Sequence, residues 1–108
     1  MDGIVFFRTT DHDAVVDFYR DLGMEVAVEQ PDCTILRRGD MWLRFCDRES
    51  AETDGIVTFV YETRAEVDAA HDRLQTARGP PRYNETYDIY QFFADDPEGR
   101  TVEFQTPP

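Results

Sequence analysis

Phe92-Phe93-Ala94-Asp95-Asp96-Pro97-Glu98-Gly99-Arg100-Thr101-Val102-Glu103-Phe104-Gln105 is the stretch whose reading decides the fold. Its ends are aromatic and β-branched, as strands are. Its middle, Asp95 to Gly99, is turn chemistry: proline fixes φ, glycine supplies positive φ, and aspartate can bond its own backbone. The segment reads as a β-hairpin. After the turn, Val102 and Phe104 alternate with Thr101, Glu103 and Gln105, so period-two geometry puts the two groups on opposite faces. Glu103 is then a carboxylate at mid-strand between two core residues. A wetted sheet face explains it without any function.

Working outward, the same alternation and turn signals divide the rest of the chain. Ile4 to Arg8 reads as a strand. A helix follows from the cap residues Thr9-Thr10-Asp11, with Ala14, Val15, Phe18, Tyr19 and Leu22 at helical spacing and Gly23 as its stop. Met24–Glu29, Cys33–Arg37 and Met41–Asp47 read as strands, the last two joined by a turn at Arg38-Gly39-Asp40. The polar run from Arg48 to Asp54 shows no pattern. Then Gly3-Ile4-Val5-Phe6-Phe7 is echoed by Gly55-Ile56-Val57-Thr58-Phe59, and the same offset pairs Val15 with Val67 and Leu22 with Leu74. Val57–Tyr61 reads as a strand, Glu66–Ala77 as a helix, and Tyr83–Tyr87, Ile89–Ala94 and Arg100–Thr106 as strands. The unit is strand-helix-strand-strand-strand, used twice.

Composition narrows the setting. A chain of 108 residues is one domain by length. Its net charge is -12, and all 11 basic residues are arginine. Such a surface repels polyanions, so neither nucleic acid nor an anionic membrane is an expected partner. Acidic, lysine-free composition resembles that of cytosolic proteins from high-salt organisms, where screening relieves self-repulsion. The longest early apolar run, Ile4–Phe7, is far short of the roughly 20 residues that span a bilayer. The two cysteines, Cys33 and Cys46, follow no secretory signal, so a cytoplasmic protein with reduced thiols is expected.

The C-terminal hairpin resembles the last two strands of the vicinal oxygen chelate superfamily, which includes glyoxalase I, bleomycin-resistance proteins and extradiol dioxygenases. The resemblance rests on Phe92-Phe93, Asp96-Pro97-Glu98-Gly99 and Glu103. Asp11, Phe18-Tyr19 and Leu22-Gly23 stand at family-like spacing in the first helix, and the repeat extends the likeness over nearly the whole chain. It implies an α+β fold of two βαβββ modules (1–48 and 55–108, linker 49–54), a cupped mixed sheet and helices on its convex face. Val5, Phe7, Leu43, Phe45, Phe59, Val102 and Phe104 are expected under the helices. The likeness also implies a homodimer.

In metal-dependent members each module gives a ligand from its first strand and one from its last. Carried onto this chain, those positions hold Ile4 and Arg44 in module one and Ile56 and Glu103 in module two. One ligand type in four, beside a cationic arginine, gives no metal site, and no cofactor is expected. His12 reads as an exposed residue of the first helical turn, His71 as a partly exposed helix residue and Cys46 as lining. By parity the cup presents Phe6, Arg8, Trp42, Arg44, Thr58, Val60, Thr101, Glu103 and Gln105. Of these, Phe6, Arg8, Trp42, Arg44, Glu103 and Gln105 are the candidate ligand-binding residues. Glu103 is the one catalytic candidate, as a general base. Arg44 and Glu103 are expected to form an ion pair in place of the metal. Two functions remain open: a metal-independent module binding an aromatic or anionic small molecule, and a glyoxalase-like lyase or dioxygenase-related enzyme.

Overall fold

The computed structural model describes residues 2–107. They divide into two compact units between Glu52 and Thr53. Module one runs β1 (Val5–Thr9), α1 (His12–Asp21), β2 (Glu25–Glu29), β3 (Cys33–Arg38) and β4 (Met41–Asp47). Module two runs β5 (Ile56–Val60), α2 (Arg64–Arg73), β6 (Arg82–Asn84), β7 (Ile89–Asp95) and β8 (Thr101–Thr106). Each module is a four-stranded mixed sheet, ordered β1-β4-β3-β2 and β5-β8-β7-β6. The first strand of each lies parallel to the last.

One face of each sheet carries the core, and the expected parity decides which. In module one α1 buries Val15, Val16 and Tyr19. Tyr19 stacks on Phe45 with ring centroids 5.0 Å apart, and Phe45 stacks on Phe7 at 5.7 Å. In module two Phe104 stacks on Phe92 at 4.6 Å and on Phe59 at 5.6 Å, and His71 of α2 meets Phe92 edge-on. Leu43, Phe45, Phe59, Val102 and Phe104 are buried, whereas Val5, at the start of edge strand β1, is 54% exposed. Emptying a buried aromatic position of this kind costs about 3–5 kcal/mol. Strand β2 is exposed throughout; Glu25 and Glu29 at its ends are the charges that discourage edge-to-edge pairing.

The hairpin at 95–101 is closed by charge as well as by turn geometry. Asp96 Oδ1 accepts the backbone N–H groups of Glu98 (2.9 Å) and Arg100 (3.0 Å). The Arg100 guanidinium, almost wholly buried, donates to Asp96 Oδ2 at 3.1 Å and to Glu98 Oε1 at 2.9 Å. Burying the guanidinium is tolerable because two carboxylates pair with it, and Asp96 takes two backbone N–H groups as well. Gly99 supplies the positive φ of 87° that the turn needs.

Three boundaries differ from expectation by two residues or more. Helix α2 begins at Arg64, two residues earlier than its spacing suggests, because Thr63 caps it: its hydroxyl accepts the Glu66 N–H at 3.2 Å and donates to the Glu66 carboxylate at 3.1 Å. It ends at Arg73 rather than Ala77. The residues beyond it run beside β7, where Arg78 N–H donates to Phe93 O at 2.9 Å and Ala77 bridges Ala94. Strand β6 stops at Asn84 instead of Tyr87, because Asn84 Oδ1 takes the Thr86 N–H at 3.1 Å and Asp88 turns the chain with φ 55°.

The expectation of reduced thiols is overturned. Cys33 and Cys46 form a disulfide. The turn at Gly39 pairs Arg38 with Met41, and the same register sets Cys33 directly opposite Cys46, with Cα atoms 4.0 Å apart. Both cysteines are buried, so Cys46 presents no thiol to any ligand.

Candidate functional site

The face of each sheet turned away from its helix carries the polar and aromatic residues that parity assigns to it. In module one the parallel pairing sets Phe6 opposite Arg44. The Arg44 guanidinium lies over the Phe6 ring, 5.3 Å from its centroid, and its Nε is buried without a hydrogen-bond partner among the described residues. Trp42 stands opposite Arg37, whose guanidinium covers the indole at 5.7 Å. A tryptophan on the polar parity is thus sheltered within its own module. Arg8 is committed elsewhere: its backbone N–H donates to Glu52 Oε1 at 2.7 Å, and its Nη1 meets Glu52 Oε2 at 3.2 Å. That contact ties the first part of the expected linker to module one.

In module two Glu103 is held by its neighbours. Thr58, its partner on β5, donates a hydroxyl to Oε1 at 2.8 Å. Gln91 Nε2 donates to Oε2 at 2.5 Å, and Gln105 Nε2 to Oε1 at 3.3 Å. Gln91 is fixed in turn by Asn84, whose Nδ2 donates to Gln91 Oε1 at 2.7 Å. A carboxylate has about four acceptor positions, so three donors leave Glu103 about one. The chain Asn84–Gln91–Glu103–Thr58 spans all four strands of the module.

Sequence reasoning missed Gln91, Phe93 and Asn84. The signal was there: Gln91 and Phe93 alternate with the core residues Phe92 and Ala94, so they share the face of Glu103. A glutamine flanked by core positions is worth the same question as Glu103 itself.

The histidines stand apart from these groups. His12 is more sheltered than its place in a first helical turn suggests, its Nε2 2.9 Å from the Thr34 hydroxyl and its Nδ1 2.9 Å from Asp13. Elsewhere, the Arg78 guanidinium bonded to Asp95 holds that carboxyl below its usual value. The hydrogen bond to Asp68 raises the Tyr90 phenol.

A divalent cation does not fit these donors. Ile4 and Ile56 carry no ligating atom, and Arg44 is a cation that stacks on a ring. Glu103 already accepts three hydrogen bonds. Among the described residues no three histidine, cysteine, aspartate or glutamate side chains converge. Nor is any helix among them long and apolar enough to cross a membrane.

Two βαβββ modules, each with the helix on one face and a polar, aromatic opposite face, define the glyoxalase/bleomycin-resistance fold. The chain belongs to the Glyoxalase/Bleomycin resistance protein/Dioxygenase superfamily, whose family model matches residues 3–104. No protein of curated function matches its sequence significantly. Among solved structures it is similar to lactoylglutathione lyase from Agrobacterium tumefaciens, with 23% identity, a TM-score of 0.78, and 98% of this chain and 92% of that one covered. It is also similar to a family enzyme from Burkholderia phytofirmans PsJN (20% identity, TM-score 0.82, 97% of each chain). A third is the oxidase ChaP-H2, with 20% identity, a TM-score of 0.81, and 98% and 92% of the two chains covered. A lyase and an oxidase on one fold show that the fold does not choose the chemistry.

Proposed function

We propose that this chain is a metal-independent small-molecule-binding member of its superfamily. The observation that carries the reading is Arg44, a guanidinium stacked on Phe6 at the position where metal-dependent relatives are expected to place a carboxylate. A cation there repels a metal ion and attracts an anionic ligand. Phe6, Trp42 and Arg44 supply an aromatic and cationic surface, with Arg8 at its edge. Glu103 and Gln105 supply a fixed polar anchor in module two. Three donors position Glu103 and leave about one acceptor site for a ligand N–H or O–H. The functional unit is proposed to be a homodimer.

A second reading keeps Glu103 as a metal-free general base. Its support is the same orientation by Thr58, Gln91 and Gln105, since a base must be held within reach of its proton. The chain's single tryptophan, Trp42, makes the first reading directly measurable. Its fluorescence should respond saturably to anionic aromatic compounds, and Arg44→Ala should weaken that response about tenfold. Unchanged affinity in Arg44→Ala would remove Arg44 from the site.

A further inference from the structure

Module two carries a groove of about 660 Å³ along β6 and β7, lined in part by the Asn84–Gln91 end of the hydrogen-bonded chain that holds Glu103. Gln91 and Phe93 line it from β7, Arg82 and Asn84 from β6, and Pro80 from the segment before β6. Its volume suits a small organic molecule.

The chemistry of the lining follows from counting what is already used. Arg78, at one end, is committed to Asp95 and to the Thr101 hydroxyl, the latter at 2.9 Å. Asn84 Oδ1 accepts the Thr86 N–H, and Gln91 Oε1 accepts from Asn84. Each side-chain amide has two N–H donors. Asn84 spends one on Gln91, and Gln91 spends one on Glu103. One donor therefore remains on each amide. Gln91 is 8% exposed, so its remaining donor has little access to bulk water. The Arg82 side chain has neither a hydrogen bond nor an ion pair among the described residues, so the donors of its guanidinium are unspent. The groove thus offers donors and few acceptors, beside a half-buried phenylalanine ring and a proline.

We propose that this groove binds a small aromatic monocarboxylate. The carboxylate takes the Arg82 guanidinium bidentately, a match of two planar groups. It takes the remaining amide donors of Asn84 and Gln91 as well. The ring lies against Phe93 and Pro80. Glu85, also in the lining, sets the charge limit: a dianion such as a phosphate meets its repulsion, whereas a monoanion is compensated by Arg82. Gln91 joins this groove to Glu103, so an occupied groove reports on the carboxylate that the hydrogen-bonded chain holds. The inference deepens the small-molecule reading in module two and is independent of Arg44.

The experiment is a titration of the full chain, followed by amide and side-chain NMR, with benzoate, benzamide and inorganic phosphate. Benzoate should shift resonances of Arg82, Gln91 and Phe93 saturably, and benzamide and phosphate should bind at least about tenfold more weakly. Arg82→Gln, at an exposed position, should keep the fold and weaken benzoate about tenfold, with Arg20→Gln as the control that changes nothing. Equal affinity for benzoate and benzamide, undiminished binding in Arg82→Gln, or no saturable shift overturns the proposal. Benzoate shifts confined to Phe6, Trp42 and Arg44 overturn the groove while leaving the module-one reading standing.

Discussion

Gln91 on β7 donates its amide to Glu103 on β8 across 2.5 Å, and the same amide group accepts from Asn84 on β6. A buried glutamine thus couples an outer strand to the Glu103 carboxylate on the polar face of module two. A hydrogen bond to a charged group contributes about 1.5–3 kcal/mol, and removing the donor leaves an acceptor short of partners. Gln91→Ala is therefore expected to destabilise the protein by about 2 kcal/mol. Urea unfolding checks it; a change below a few tenths of a kcal/mol would mean that water replaces the amide freely.

The disulfide between Cys33 and Cys46 closes a sequence separation of 13 residues. By loop-closure entropy a crosslink of this size contributes about 3 kcal/mol. Reduction should lower the unfolding temperature, and denatured, unreduced protein should show no alkylatable thiol. Two alkylated cysteines per chain in protein isolated under air would contradict the pairing.

Arg78 and Asp95 give a sign to the acid limb of stability. Arg78 lowers the Asp95 pKa below its ordinary 3.8. The pair's contribution is therefore full above that value and is lost as pH falls through the lower, folded-state pKa. Both side chains are more than a third exposed, so screening limits the contribution to about 0.2–1 kcal/mol. Arg78→Gln should be less stable than the parent by that amount near pH 7, and the gap should close as the solution is acidified well below pH 4. A gap that persists with Asp95 protonated would assign the effect to the Thr101 contact instead.

Val5, Phe6, Ile56 and Val60 are exposed apolar side chains on edge strands β1 and β5, with exposures of 54%, 40%, 58% and 54%. Apolar surface of this kind is what a second copy would cover. Light scattering is expected to give twice the chain mass, and screening by salt should favour the dimer because each chain carries -12. A monomer mass at micromolar concentration and high salt would count against it.

Much of the fold was legible because its signals are local and repeated. The alternation of Val102 and Phe104 with Glu103 fixed the faces of β8, and the echo of Gly3–Phe7 in Gly55–Phe59 fixed the module. The boundary of α2 was not legible from apolar spacing, since residues past Arg73 trade helical bonds for bonds to β7. Thr63 and Glu66 did announce its start, as a capping pair. The disulfide could be read only by carrying the Gly39 turn register down to Cys33 and Cys46. Parity placed Arg44, Glu103 and Trp42 on the sheet faces opposite the core residues Leu43, Phe45, Val102 and Phe104. It could not say that Arg8 spends its guanidinium on Glu52, because that partner lies 44 residues away in a patternless segment.

Metal content tests the central reading most directly. The protein would be purified without chelator, passed through gel filtration, and analysed for zinc, nickel, manganese and iron, alongside Glu103→Ala. Expected is far less than one equivalent of any of these metals per chain, with no difference between the two proteins. One equivalent per chain that survives filtration and is lost in Glu103→Ala would contradict the metal-independent reading and restore the lyase or dioxygenase alternative.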